Sequence, residues 1–291
     1  MSLPDDLRLG HTHLTVTDLD RSVAFYQDAI GLQVDRLDPP RAVLSAGADP
    51  LLVLKENPSA RPAGRHAGLY HFALLHPSRL ELARAVRRLA VTHTPITGAS
   101  DHGVSEAIYL DDPDGNGIEL YADRPRDEWP EPNLPGAKVG MFVAPLDAQG
   151  LMAVAETEPD VPRRADPGLT VGHMHLHVGD LAKGLTFYRD VIGFDEMASL
   201  GNQAMFVSAG GYHHHLGFNV WKGHGVGPAP EGTVGLRNWT IVLPDAEAVA
   251  EVRSRVDAAG LEANDRHGGF VVLDPWEIPL LVTAADDLSG E

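Results

Sequence analysis

The chain has 291 residues, 23 basic against 41 acidic side chains for a formal net charge of −18, 15 histidines and no cysteine. The charge disfavours nucleic acid and anionic membrane surfaces as partners. The missing thiol excludes disulfides, thiolate nucleophiles, iron–sulfur clusters and Cys-based zinc sites, so a metal would have to be held by His, Asp or Glu.

The length predicts two domains. The opening MSLPDDLRLG holds no apolar run, and no stretch of ~18 apolar residues occurs, so a cytoplasmic protein without a signal peptide or membrane span is expected. A strand is predicted over 10–16, where apolar and polar residues alternate. A helix over 20–29 follows, capped by Asp18 and stopped by Gly31. Strands are then expected over 32–37, 41–46 and 51–55. The order repeats with a strand over 70–75, a helix over 79–90 and strands near 95–97, 105–110 and 118–122. Residues 124–168 are rich in proline and read as a connector, with room for a short strand over 138–143 and a short helix over 147–154.

Beyond the connector the chain repeats itself. Residues 171–193, VGHMHLHVGDLAKGLTFYRDVIG, match residues 9–31, LGHTHLTVTDLDRSVAFYQDAIG, without a gap at an offset of 162 (173 − 11). Residues 235–245, GLRNWTIVLPD, match residues 68–78, GLYHFALLHPS. The chain is a duplication in which each half holds two strand–helix–three-strand units. Domains are expected over 6–126 and 168–286, joined by a proline-rich connector over 127–167.

Strand parity puts His11 and His13 on one face, and His173, His175 and His177 on the equivalent face. Such histidines can converge on a cavity, or can be core or solvated histidines; their repetition favours the first. Asn116-Gly117 signals a tight turn into a strand that starts near Glu119. Asp112, Asp114, Asn116 and Gly117 also fit the opening of a calcium loop, but strand patterns on both sides argue against it.

With GHTHLTVTDLDRSVAFYQDAIGL, GLYHFALL, YLDDPDGNGIELYADRP and the repeated GHMHLHVGDL, the chain resembles the vicinal oxygen chelate superfamily. That group holds glyoxalases, bleomycin-resistance proteins, fosfomycin-resistance enzymes and extradiol dioxygenases. The resemblance implies an α+β fold of βαβββ units, paired into cup-shaped mixed sheets with helices outside. Within the group, the pattern together with GGYHHHLG is similar to its catechol-2,3-dioxygenase-like members. The family places metal ligands on the first and last strands of its units, which implies His11, His71 and Glu119. A 2-His-1-carboxylate set suits non-haem Fe(II), with Mn(II), Zn or Ni as alternatives. A fourth ligand of the glyoxalase kind is missing from the apolar 51–54 strand.

The same resemblance implies His102 and Tyr109 as residues that hydrogen-bond substrate and move protons. The family's acid/base His near the fourth strand has only Ala48 and Asp49 opposite it here; His66 is the nearest substitute. In the second half, His173 keeps the first ligand position, but Asn238 replaces His71 and Leu280 falls near the Glu119 position. A degenerate second site from His173, His213 and His215 is one reading of that half. A vestigial half, whose histidines line a pocket or an interface, is the other. The expected activity is cleavage of a small catechol-like aromatic with O2, in a protein that could form homo-oligomers. The rivals are a Zn or Ni lyase/isomerase of the glyoxalase type and a non-catalytic binding or resistance protein.

Overall fold

The computed structural model describes residues 2–132, 136–266 and 268–285. Positions 133–135 of the expected connector and residue 286, the expected end of the second domain, lie outside the described residues. After a two-residue strand β1 (Arg8–Leu9), the first unit is β2 (Thr12–Val16), α1 (Leu19–Phe25), β3 (Gln33–Asp38), β4 (Arg41–Ser45) and β5 (Pro50–Glu56). The second is β6 (Gly68–Leu75), α2 (Arg79–Val91), β7 (Gly98–Asp101), β8 (Ser105–Asp111) and β9 (Gly117–Asp123). The connector carries α3 (Ala148–Ala153). The third unit is β10 (Thr170–His177), α4 (Leu181–Leu185), β11 (Asp195–Leu200), β12 (Ala204–Ser208) and β13 (Leu216–Asn219). The fourth is β14 (Gly235–Leu243), α5 (Ala246–Ala258), β15 (Ala263–Arg266), β16 (Gly269–Leu273) and β17 (Pro279–Ala284).

Each unit starts its helix the same way. Asp18, Ser78, Asp180 and Asp245 accept a hydrogen bond from the backbone N–H three residues on. Buried Leu82, Ala85 and Leu89 make one stripe of α2, and Val249, Val252 and Val256 one stripe of α5. The helix expected over 20–29 is α-helical only to Phe25 and closes in a wider π-helical turn, Tyr26–Ile30. Gly31 ends it at φ +86°, a conformation open to glycine. The third unit repeats the device, with a π-helical turn ending at Gly193.

The fold class is the expected α+β arrangement of mixed sheets, but the units pair across the halves. One sheet runs β15-β16-β17-β14-β2-β5-β4-β3, with β1 added on β14, and joins units one and four. The other runs β11-β12-β13-β10-β6-β9-β8-β7 and joins units two and three. The halves 6–126 and 168–286 are therefore repeats along the chain, and neither closes a cup from its own two units. Alternation fixes which face of a strand is buried, not which edge it meets. β2 and β10 carry nearly the same sequence, so either could have bordered β6.

Two local expectations also shift. The strand near 95–97 begins at Gly98 instead, since Pro95 has no N–H for a ladder. Residues 138–143 form no strand; the connector instead makes reciprocal backbone hydrogen bonds of 2.9 Å between Asp101 and Ala144. The Asp112 turn is not a cation loop. Its buried carboxylate accepts from the N–H groups of Asp114 and Asn116, from Asn116 Nδ2 and from the Tyr26 hydroxyl. Asp274 does the same work in the fourth unit, with Tyr188 as its phenol.

Candidate metal centre

The centre lies where β9, β6 and β10 run side by side. Glu119 stands opposite Ala73 across one ladder, and Ala73 stands opposite His173 across the next. His71, two residues before Ala73, faces the same way and pairs with His175. The small Ala73, fully buried, leaves the space between Glu119 and His173 into which His71 reaches. His71 Nε2 and His173 Nε2 each lie 3.0 Å from Glu119 Oε2. One ligand atom from each of the three residues falls within 4.8 Å of the others.

This set fits a divalent cation. All three side chains are buried, and no Lys or Arg pairs with Glu119 among the described residues. His71 Nε2 is close to the carboxylate yet makes no aligned hydrogen bond, so it points at the shared centre rather than satisfying itself. Burial by itself would raise the pKa of Glu119; the charge and hydrogen bond of His173, with His71 close by, override it and hold the carboxyl well below its usual range. Burial pushes His71 below the ordinary imidazole value against the pull of Glu119, keeping it neutral with a lone pair to donate.

A cavity of about 370 Å³ opens above these residues. Tyr109 and His102 stand on its wall, with the Tyr109 hydroxyl 2.7 Å from His102 Nε2. His102 Nδ1 donates to the Phe142 carbonyl at 3.0 Å, so Nε2 accepts the phenol proton. Burial, then the nearby Glu119 charge, raise Tyr109 and keep it a neutral phenol. His214 also lines the cavity, its ring 4.1 Å from that of His173. Its Nδ1 is 2.8 Å from His213 Nδ1, and His213 Nε2 donates to Asp123 at 2.9 Å. With His213 Nε2 carrying the proton, His213 Nδ1 accepts from His214, whose own Nε2 is left with the lone pair. Burial, reinforced by neighbouring imidazoles, holds His214 well below its ordinary pKa.

The structure brings the expected His71 and Glu119 together, with His102 and Tyr109 beside them, but His173 takes the place expected for His11. His11 stands just ahead of β2, beside the other sheet, and lines a separate cavity of about 260 Å³ with Leu9, Leu51, Tyr212 and His215. The pairing of units decides this: β10, not β2, borders β6. In the sheet of units one and four, Asn238 replaces His71, and the position of Glu119 falls on Leu281, one residue beyond Leu280, because Thr240 pairs Leu281 as Ala73 pairs Glu119.

A second site from His173, His213 and His215 does not form. His173 belongs to the Glu119 set, His213 bonds Asp123, and His215 Nδ1 bonds Ser208 Oγ at 2.8 Å. Residues 213–215 precede β13 and are not part of a strand. His66 bonds the Ala63 carbonyl and is no part of the centre. His214 was given no role by sequence reasoning, whereas His175 had been placed on the cavity-facing side of its strand. The signal for His214 was present: only the third unit has histidine near its fourth strand, the feature missing at Ala48 and Asp49.

Comparison with known proteins agrees with the four-unit architecture. The sequence pattern of the Glyoxalase/Bleomycin resistance protein/Dioxygenase superfamily matches residues 8–120 and 170–275. The chain belongs to that superfamily. It is 44% identical over 279 residues to Catechol-2,3-dioxygenase of Bacillus subtilis (strain 168), covering 94% of this chain and 96% of the relative. Glyoxalase I from Zea mays shares the fold at a TM-score of 0.60 and 17% identity, over 98% of this chain and 94% of that one. A dioxygenase candidate from Bacillus subtilis subsp. subtilis str. 168 matches at a TM-score of 0.62 and 14% identity, over 95% of this chain and 84% of that one. The chain is thus a homologue, over nearly all of its residues, of a catechol-2,3-dioxygenase, and it carries a buried His–Glu–His candidate metal site.

Proposed function

We propose that the protein is an extradiol dioxygenase that opens a catechol ring beside its two hydroxyls with O2, using Fe(II) held by His71, Glu119 and His173. The observation that carries this reading is the convergence of two imidazoles on one buried carboxylate at the base of a cavity. Two histidines and a carboxylate on one side of an ion leave its other positions open, as a site that must take substrate and oxygen together requires. Bound there, the metal supplies the redox chemistry that joins the diol to O2. Mn(II) suits the same nitrogen and oxygen donors.

The remaining steps belong to side chains. The Tyr109 hydroxyl, its proton engaged by His102, accepts from a substrate hydroxyl and orients the diol. His214, tied through its Nδ1 to His213 and Asp123, presents a neutral imidazole beside His173 and takes and returns the substrate proton. This fills the acid/base position for which the first unit had only Ala48 and Asp49. The apolar residues above the site exclude water from the reacting diol.

The test is anaerobic loading with Fe(II), then catechol and air, while oxygen uptake and the yellow ring-opened product are followed. Coupled uptake and colour are expected. Metal-loaded protein that consumes no oxygen with any of a panel of catechols would remove the dioxygenase reading. A glyoxalase-type activity would instead run without oxygen and with Zn or Ni.

A further inference from the structure

The ligands form only the floor of the cavity; the opposite wall is made by the connector. Val139, Met141, Phe142 and Val143 line it, together with Leu200 and Trp221. The large hydrophobics exposed to solvent concentrate there. Tyr70, Phe142, Val143, Leu200 and Trp221 account for five of the ten such residues among those described, and all five line this cavity. Among the described residues no Lys or Arg lines it, and the carboxylate in its lining is that of Glu119. At about 370 Å³ it is larger than a bare catechol ring needs and falls within the range that encloses drug-sized ligands.

This wall is fixed rather than draped. Phe142 N–H donates to the His102 carbonyl at 3.3 Å, and the Phe142 carbonyl takes the His102 Nδ1 proton. Asp101 and Ala144 exchange two further bonds. Gly103, at φ +76°, lies directly against the Phe142 ring: an added Cβ would stand 2.5 Å from Phe142 Cε1. Beneath the wall, Val104, Val139, Met197 and Ala198 form a small core of their own, with Met141 and Phe206 packed on it. The wall is thereby tied to the backbone and ring of the same histidine that engages Tyr109.

We propose that residues 139–143 are the specificity wall and that the substrate is a catechol bearing an apolar alkyl or aryl substituent, with carboxylated catechols excluded. The proposal rests on the dioxygenase reading for the diol and adds the chemistry of the rest of the molecule. An apolar substituent would cover Phe142, Val143, Leu200 and Trp221, removing exposed hydrocarbon on both sides from water. A carboxylate in the same place would lose its hydration with no cation to replace it, in a chain already at −18.

Three probes decide this on Fe(II)-loaded protein: catechol, 4-butylcatechol and 3,4-dihydroxybenzoate. Anaerobic calorimetry gives Kd, and oxygen uptake gives kcat/KM. 4-Butylcatechol is expected to bind at least ~10-fold tighter than catechol, and 3,4-dihydroxybenzoate at least ~10-fold weaker. Val143→Lys, at an exposed position that tolerates charge, should shift the dihydroxybenzoate-to-butylcatechol ratio of kcat/KM by ~10-fold or more toward the acid. Phe142→Ala should narrow the preference for the butyl compound. Equal or tighter binding of the acid by the wild type, or a ratio unmoved in both variants, overturns the proposal. If no catechol is oxidised, the dioxygenase reading fails, while the calorimetric order still decides whether the wall selects apolar groups.

Discussion

Glu119 is buried with an imidazole nitrogen 3.0 Å away on either side, and every role assigned to the centre passes through its charge. Glu119→Gln keeps the volume and removes the charge, so metal content after purification should fall to near zero while the fold survives; retained metal would show that the carboxylate is not a ligand. In the proposed mechanism His214 moves a proton and is not one of the ligands. His214→Ala should therefore retain metal and lower kcat ~10²–10⁴-fold. An unchanged kcat would move the proton chemistry elsewhere. His71, Glu119, His102 and Tyr109 were expected from the family resemblance, and all four lie within one strand–helix–three-strand unit, so their meeting does not depend on how the units pair. His173 and His214 belong to another unit, and their approach depends on an edge pairing that no local pattern specifies.

At the scale of elements, the duplicated units repeat their fastenings as well as their strands. Arg88, buried at 4% exposure, donates to the carbonyls of Ala29, Ile30 and Pro162, closing the π-helical turn of the first unit against α2. Arg255 does the same for Val191 and Ile192 in the third. Burial lowers Arg88 to about 10, still charged at neutral pH. Arg88→Met leaves three carbonyls without this donor and should cost about 3 kcal/mol of stability, read as a lower urea midpoint. A midpoint within error of the wild type would make the guanidinium dispensable. The start of α1 was readable because Asp18 caps it, and Ser78, Asp180 and Asp245 repeat the device in the other units. The wider turn at Tyr26–Ile30 was not, since it depends on Arg88, Asp112 and Gly31 acting together from distant positions.

At the scale of the molecule, buried imidazoles make the fold acid-sensitive. Burial, with Arg88 nearby, lowers His76 to about 3, and both its ring nitrogens lack hydrogen-bond partners among the described residues. The unfolded chain titrates such a group near 6.5. Between those values the unfolded state binds a proton that the folded state refuses, so stability is full above ~6.5 and declines as the pH falls toward 3. For His76 alone the loss at pH 5 is about 2 kcal/mol. Urea midpoints from pH 7 to pH 5 should fall, and His76→Leu should flatten that slope; an equal slope in the variant would contradict the assignment. His215, held to about 3, and His177, held to about 4, act in the same direction.

The pairing of units also decides which histidines can meet Glu119, since β10 of the third unit borders β6 of the second and leaves His11 beside β2 in the other sheet. The central claim is that one centre forms across the two halves, with His173 and not His11 as its third ligand. Metal analysis of the wild type, His11→Ala and His173→Ala, each loaded with Fe(II) anaerobically and desalted, tests it most directly. About one metal per chain is predicted for the wild type and for His11→Ala, and close to none for His173→Ala. Loss of the metal in His11→Ala with retention in His173→Ala would contradict the pairing of units on which the account stands.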